Sequence, residues 1–116
     1  MKAADIYNEH CPSRLVLDII SNKWVILIIE KLTQKNHRFG ELKRAIGGIS
    51  AKVLSHLLKS LEYNNLIIRT DHSDVILNVE YALSPLGKSL SHICHIITVW
   101  AEQHVHEIVL MKEGCE

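Results

Sequence analysis

No stretch of this 116-residue chain is apolar for long. The longest unbroken run, Trp24 to Ile29, falls far short of the roughly 20 residues that a membrane-spanning helix requires. No charged-then-apolar leader opens the sequence, because Met1-Lys2-Ala3-Ala4-Asp5 leads straight into polar residues, and a cytoplasmic protein without membrane partners is expected. Cysteine is sparse: Cys11, Cys94 and Cys115 are widely spaced and odd in number. That excludes a disulfide framework and a CxxC metal knuckle, and it suits thiols in a reducing compartment. There is no glycine-rich phosphate loop, no nucleophile elbow and no HExxH, and Gly47-Gly48 is an isolated turn, so the sequence does not point to an enzyme.

Net charge is also absent, since 13 Lys and Arg balance 13 Asp and Glu. The distribution is uneven, however. Lys35, Arg38, Lys43, Arg44, Lys52 and Lys59 stand against the single acid Glu41, whereas beyond Glu102 the only Lys or Arg is Lys112. A basic middle with neutralising ends fits a DNA-facing surface on an otherwise neutral body.

What is present is periodicity, without repeats or linkers, which reads as one domain spanning 1–116. Pro12, followed by Leu15, Ile19 and Ile20, predicts a short helix with proline at its first position. Lys23 to about Gln34 predicts a second helix, apolar almost all round and therefore buried. Asn36-His37 reads as a connector, and Phe39 to Ile46 as a third helix. Ser50 is a good N-cap for a fourth helix reaching about Tyr63, with Leu54, Leu57, Leu58 and Leu61 in one stripe. Asn64-Asn65 ends it, because Asn tolerates the left-handed conformation. Then the period changes. Ile67–Thr70 and Leu77–Leu83 read as strands around the turn His72-Ser73-Asp74. Ser84 as N-cap and Pro85 in the first turn start a long last helix. The fold class is therefore α+β, mostly α: a helix-turn-helix with a hairpin wing and flanking helices.

Several landmarks now stand in order: Cys11-Pro12, Lys23-Trp24, Arg38-Phe39-Gly40-Glu41-Leu42, Ile49 to Leu54, Leu61-Glu62, and Val79 to Gly87. With them, the chain from Cys11 to Trp100 resembles the HxlR family of bacterial winged-helix regulators, relatives of the MarR type. The resemblance implies a homodimer on a palindromic operator, with the fourth helix in the major groove of double-stranded DNA and terminal helices forming the dimer interface. It also implies, from some relatives, that a small electrophile or oxidant acts as inducer at the position of Cys11. Two departures stand out: Leu57, where relatives carry Arg or a polar residue, and a wing, Asp74 to Asn78, without a base.

On the fourth helix Ser50, Lys52, Ser55, His56 and Lys59 are the candidate DNA contacts, and Arg38, Lys43 and Arg44 are candidate phosphate clamps. The last helix outreaches so small a body, so Leu90, Ile93, Ile97 and Trp100 are candidate dimer contacts, joined by Leu15 and Ile19. Cys11 stands next to the start of the first helix, where the helix dipole favours a thiolate, and Arg14 adds positive charge. Two other readings use the same residues. One is a winged helix that serves protein interactions and has lost DNA binding. The other is a metal-responsive regulator using His92, His95 and their neighbours, although these lack the tight four-ligand clustering of structural zinc. No cofactor is expected.

Overall fold

A computed structural model describes residues 4–72 and 78–110. Its helices are α1 (Ser13–Ile20), α2 (Lys23–Gln34), α3 (Phe39–Ala45), α4 (Ala51–Tyr63) and α5 (Pro85–Val105), the last running on into a π-helical turn, His106–Leu110. Its strands are β1 (His37–Arg38), β2 (Ile67–Asp71) and β3 (Val79–Leu83).

Local chemistry sets most boundaries. The Asn22 side chain accepts the Trp24 N–H at 2.8 Å and starts α2. Ser50 accepts the Val53 N–H at 3.1 Å and starts α4, and Ser84 accepts the Gly87 N–H at 3.0 Å and starts α5 behind Pro85. After α4 the chain turns at Asn65, the one described non-glycine residue with positive φ (63°). Pro12 is the N-cap of α1 rather than its first helical residue, and α3 ends at Ala45, with Ile46 capping it.

The segment Asn36-His37 is not a plain connector. His37 and Arg38 form a strand that pairs antiparallel with β3, His37 opposite Tyr81 and Arg38 opposite Glu80. The sheet order is β1-β3-β2, with Ile67 opposite Leu83 and Asp71 opposite Val79. Leu77 and the turn at Ser73 and Asp74 lie outside the described residues.

The core is built where α2, α3 and α4 meet the sheet: Val25, Ile28, Ile29, Leu32, Leu42, Leu54, Leu58 and Leu61 are all buried. Helix α2 is less enclosed than its composition suggests, because Leu27 is exposed and Trp24 and Ile26 are half-buried. Leu57 packs half-buried against this core, so its aliphatic side chain has a structural use on α4. Helix α5 meets the body through small residues: Gly87 and Cys94 are buried, and Ser91 and Thr98 half-buried, one helical face. A Cβ at Gly87 would collide with the Leu66 carbonyl oxygen, so only glycine allows this approach. The result is a winged helix-turn-helix: α2, α3 and α4 as the three-helix unit, β2 and β3 as the hairpin, α1 and α5 flanking.

Candidate nucleic-acid interface

Helix α4 has two unlike faces. Leu54, Leu58 and Leu61 fix one to the core, so Lys52, His56 and Lys59, at the same i, i+4, i+7 spacing, stand exposed on the other. Ser50 is also exposed, but its hydroxyl is engaged as the helix cap. Ser55 is half-buried at the flank of the face.

Helix α3 carries Lys43 and Arg44 exposed in its last turn and Arg38 exposed just before its first. The Glu41 carboxylate accepts the Arg38 backbone N–H at 2.8 Å, which holds its carboxyl below the usual range, with Lys35, His37 and Arg38 adding smaller electrostatic help. The local acid is thereby tied to the backbone. Arg38, Gly40, Glu41 and Arg44 line an open hollow of about 420 Å³ with Val79 of the hairpin. Strand β1 is what joins these parts. Its two residues couple the start of α3 to the hairpin, a contact across about forty positions that local periodicity does not reveal.

At the start of α2, the Lys23 ammonium lies 4.7 Å from the centroid of the Trp24 ring. Gly48, in the turn between α3 and α4, has φ of +87°, and a Cβ built there would sit 3.7 Å from the Trp24 ring edge. The indole thus abuts the turn that leads into α4.

The dimer candidates divide. Leu15, Ile93, Ile97 and Trp100 are exposed, whereas Ile19 and Leu90 are half-buried against the chain's own core. Leu17, Val16, Leu86 and Ile96 also present apolar surface on α1 and α5. Val16 of α1 and Leu86 and Ile93 of α5 line one apolar hollow, and joined apolar surface of that kind marks a contact site.

Cys11 is half-buried beside an open hollow of about 510 Å³ lined by Asp5, Asn8, His10, Pro12 and Ser13. Its thiol is pulled below the ordinary value, first by the Ser13 hydroxyl and then by the Ser13 backbone N–H; burial opposes them, and the Asp5 backbone and the Arg14 charge add weaker help. Ser13 is the residue that sequence reasoning passed over. Arg14 was the expected partner, but its guanidinium donates to the carbonyls of Ile6 and Tyr7, both at 3.0 Å, and so pins the N-terminal turns. Cys94 is the opposite case. Burial on α5, with Glu30 nearby, pushes its thiol up.

The histidines do not converge. His92 and His95 are exposed, and His95 pairs with Glu30 at 3.3 Å, where Thr98 also donates at 3.0 Å. His104 stacks on Trp100 with ring centroids 4.4 Å apart. Among the described residues no three His, Cys, Asp or Glu side chains gather as metal ligands would. No described helix is long and apolar enough to cross a membrane.

Comparison with known proteins agrees with this architecture. The HxlR-like helix-turn-helix family profile matches residues 19–109. The chain is 34% identical over 113 residues to YtfH of Escherichia coli K12, named an uncharacterised HTH-type transcriptional regulator, covering 97% of this chain and 90% of that one. The solved structure of YtfH from Salmonella typhimurium superimposes with a TM-score of 0.86 at 33% identity, covering 96% of this chain and 99% of the other. The quinone-bound structure of YodB from Bacillus subtilis superimposes with a TM-score of 0.66 at 31% identity, covering 80% and 98%, and YodB has also been solved after diamide treatment. The chain belongs to the HxlR-like helix-turn-helix family and is a transcriptional regulator, not an enzyme.

Proposed function

We propose that the chain is a single DNA-binding domain, acting as a homodimer on a palindromic operator and responding to electrophiles or oxidants through Cys11. The observation that carries the DNA reading is the exposed Lys52–His56–Lys59 stripe opposite the buried leucines of α4, with Arg38, Lys43 and Arg44 presented by α3. A helix so anchored presents lysines to phosphates and an imidazole to a base edge, the division of labour expected of a recognition helix. Exposed Leu15, Ile93, Ile97 and Trp100 supply the apolar seam for a second copy. Cys11 supplies the sensor. Its thiol ionises more readily than an ordinary one, the thiolate being the nucleophile, and the similarity to YodB, solved quinone-bound and diamide-treated, supports that role.

A gel shift on the DNA upstream of the protein's own gene tests the whole reading. The wild type shifts that DNA at moderate salt, a quinone or mild oxidant changes the shift, and Cys11→Ser binds but does not respond. Equal responses of wild type and Cys11→Ser would make Cys11 structural, and no shift at all would leave the fold serving protein contacts instead. His56→Ala should change the ranking of operator variants, whereas Lys59→Ala should weaken binding to all of them alike.

A further inference from the structure

We infer that Lys23 is a further contact to the DNA phosphate backbone, positioned by Trp24 beside the first turn of α4; the inference rests on the operator-binding reading above. A lysine on a helix surface ordinarily wanders through its rotamers, and fixing it costs entropy. Here the ammonium is laid 4.7 Å from the indole centroid, within the range at which the ring face attracts a cation. The indole itself abuts Gly48, two residues before the Ser50 cap of α4. Ammonium, indole, turn and helix start are therefore successive neighbours.

The local charge favours an anion. Between Asp18 and Glu30 the chain has no acid, and between Glu41 and Glu62 it has none either. Those stretches contribute Lys23, Lys43, Arg44 and Lys52 where α2 and α4 begin and α3 ends. Among the described residues, no carboxylate lies within ion-pair distance of Lys23. Among the described residues its neighbour is thus the indole and not a carboxylate, and the indole places it by the turn that leads into α4. A phosphate contact of this kind sets the register of the protein on the duplex and carries no sequence information.

The test needs no operator. Binding to a duplex of arbitrary sequence is followed by fluorescence anisotropy across a salt series for wild type, Lys23→Ala, Lys23→Arg and Lys88→Ala, Lys88 being an exposed lysine on α5. Lys23→Ala should weaken binding and flatten the log–log salt slope by about 0.9 per subunit, about 1.8 for a dimer. Lys23→Arg, which keeps the charge and the stack, should retain the wild-type slope, and so should Lys88→Ala. An unchanged slope in Lys23→Ala, or an equal loss in Lys88→Ala, overturns the assignment of Lys23 while leaving operator binding intact. Loss of slope in Lys23→Arg would trace the effect to the fold of α2 and equally overturn it. A wild type that binds no duplex at any salt removes the operator reading itself, and this inference with it.

Discussion

Leu54, Leu58 and Leu61 on α4 and Ile93, Ile97 and Trp100 on α5 follow one and the same i, i+4, i+7 spacing, yet their surroundings are opposite. The leucines are at most 1% exposed, whereas the α5 residues are 52%, 46% and 53% exposed. The difference lies in what each helix turns inward. Helix α4 turns in its large side chains and leaves lysines and a histidine to water. Helix α5 turns in Gly87, Ser91, Cys94 and Thr98, with Leu90 half-buried beside them, and leaves Ile93, Ile97 and Trp100 outside. A helical stripe specifies an apolar partner, but not whether the partner belongs to the same chain. For α4 it does; for α5 the small inner face has already used the intramolecular contact.

The sharpest way to break the comparison is to treat both stripes alike. Leu58→Ala should lower the unfolding free energy by about 2–5 kcal/mol, as loss of a buried leucine does, at every protein concentration. Denaturant titration checks this, and a loss under about 1 kcal/mol would mean that α4 is not anchored as described. Ile97→Glu should instead act on assembly, raising the dimer dissociation constant roughly a hundredfold or more, about 3 kcal/mol, because a charge would enter an apolar seam. Sedimentation should show dimer for wild type and monomer for the variant. A wild-type monomer at micromolar concentration would remove the premise that a second copy covers α5.

A third variant probes the inner face of α5. Gly87→Ala should cost about 1–3 kcal/mol through overpacking, since the added methyl meets the Leu66 backbone rather than a side chain that can turn away. Unchanged thermal stability would show that α5 lifts from the body at little cost. The smallest effect separates the two thiols. In a Cys115→Ser background, alkylation at neutral pH should label Cys11 first, with a pH midpoint below that of an ordinary thiol, and Ser13→Ala should move that midpoint upward. Cys94, buried and with its thiol pushed up, should label only when the fold opens. Fast labelling of Cys94 in the native protein, or no movement in Ser13→Ala, would contradict the surroundings described for each.

How much of this was legible in the sequence depends on the range of the interactions involved. The caps Ser50 and Ser84, the leucine stripe of α4 and the change of period after Leu66 are local, and they locate α4, α5 and the strands β2 and β3, although β3 starts at Val79 within the expected Leu77–Leu83. The positive φ at Asn65 was likewise readable from the tolerance of asparagine for that conformation. Strand β1 was not legible, because two residues, His37 and Arg38, show no alternation and their partners are Tyr81 and Glu80. The polar face of α4 was readable from spacing alone, although Ser55 turns out to be partly covered. At Cys11 the sequence marked the residue and missed its main partner. Proximity in sequence suggested Arg14, but a long side chain can reach backbone carbonyls elsewhere, and the short Ser13 hydroxyl was left to meet the sulfur. Half-burial of Ile19 and Leu90 against their own core was equally beyond a helical wheel, which ranks faces and not neighbours.

The joint between α4 and α5 has a mechanical consequence. Ser84 donates its hydroxyl to the Asn65 carbonyl at 2.6 Å and its N–H to the Leu66 carbonyl at 3.1 Å, while Ile67 pairs with Leu83 and Gly87 rests on the Leu66 backbone. The end of one helix and the start of the other are thus held together directly, although Asn65 and Ser84 stand 19 positions apart in sequence. The two helices form a stiff bracket, riveted at its corner. In a twofold pair built on α5, the angle between the mated α5 helices and the pitch at which each α4 meets the groove become a single variable. On the reading proposed above, a chemical event that shifts the mated arm would turn the other arm with it.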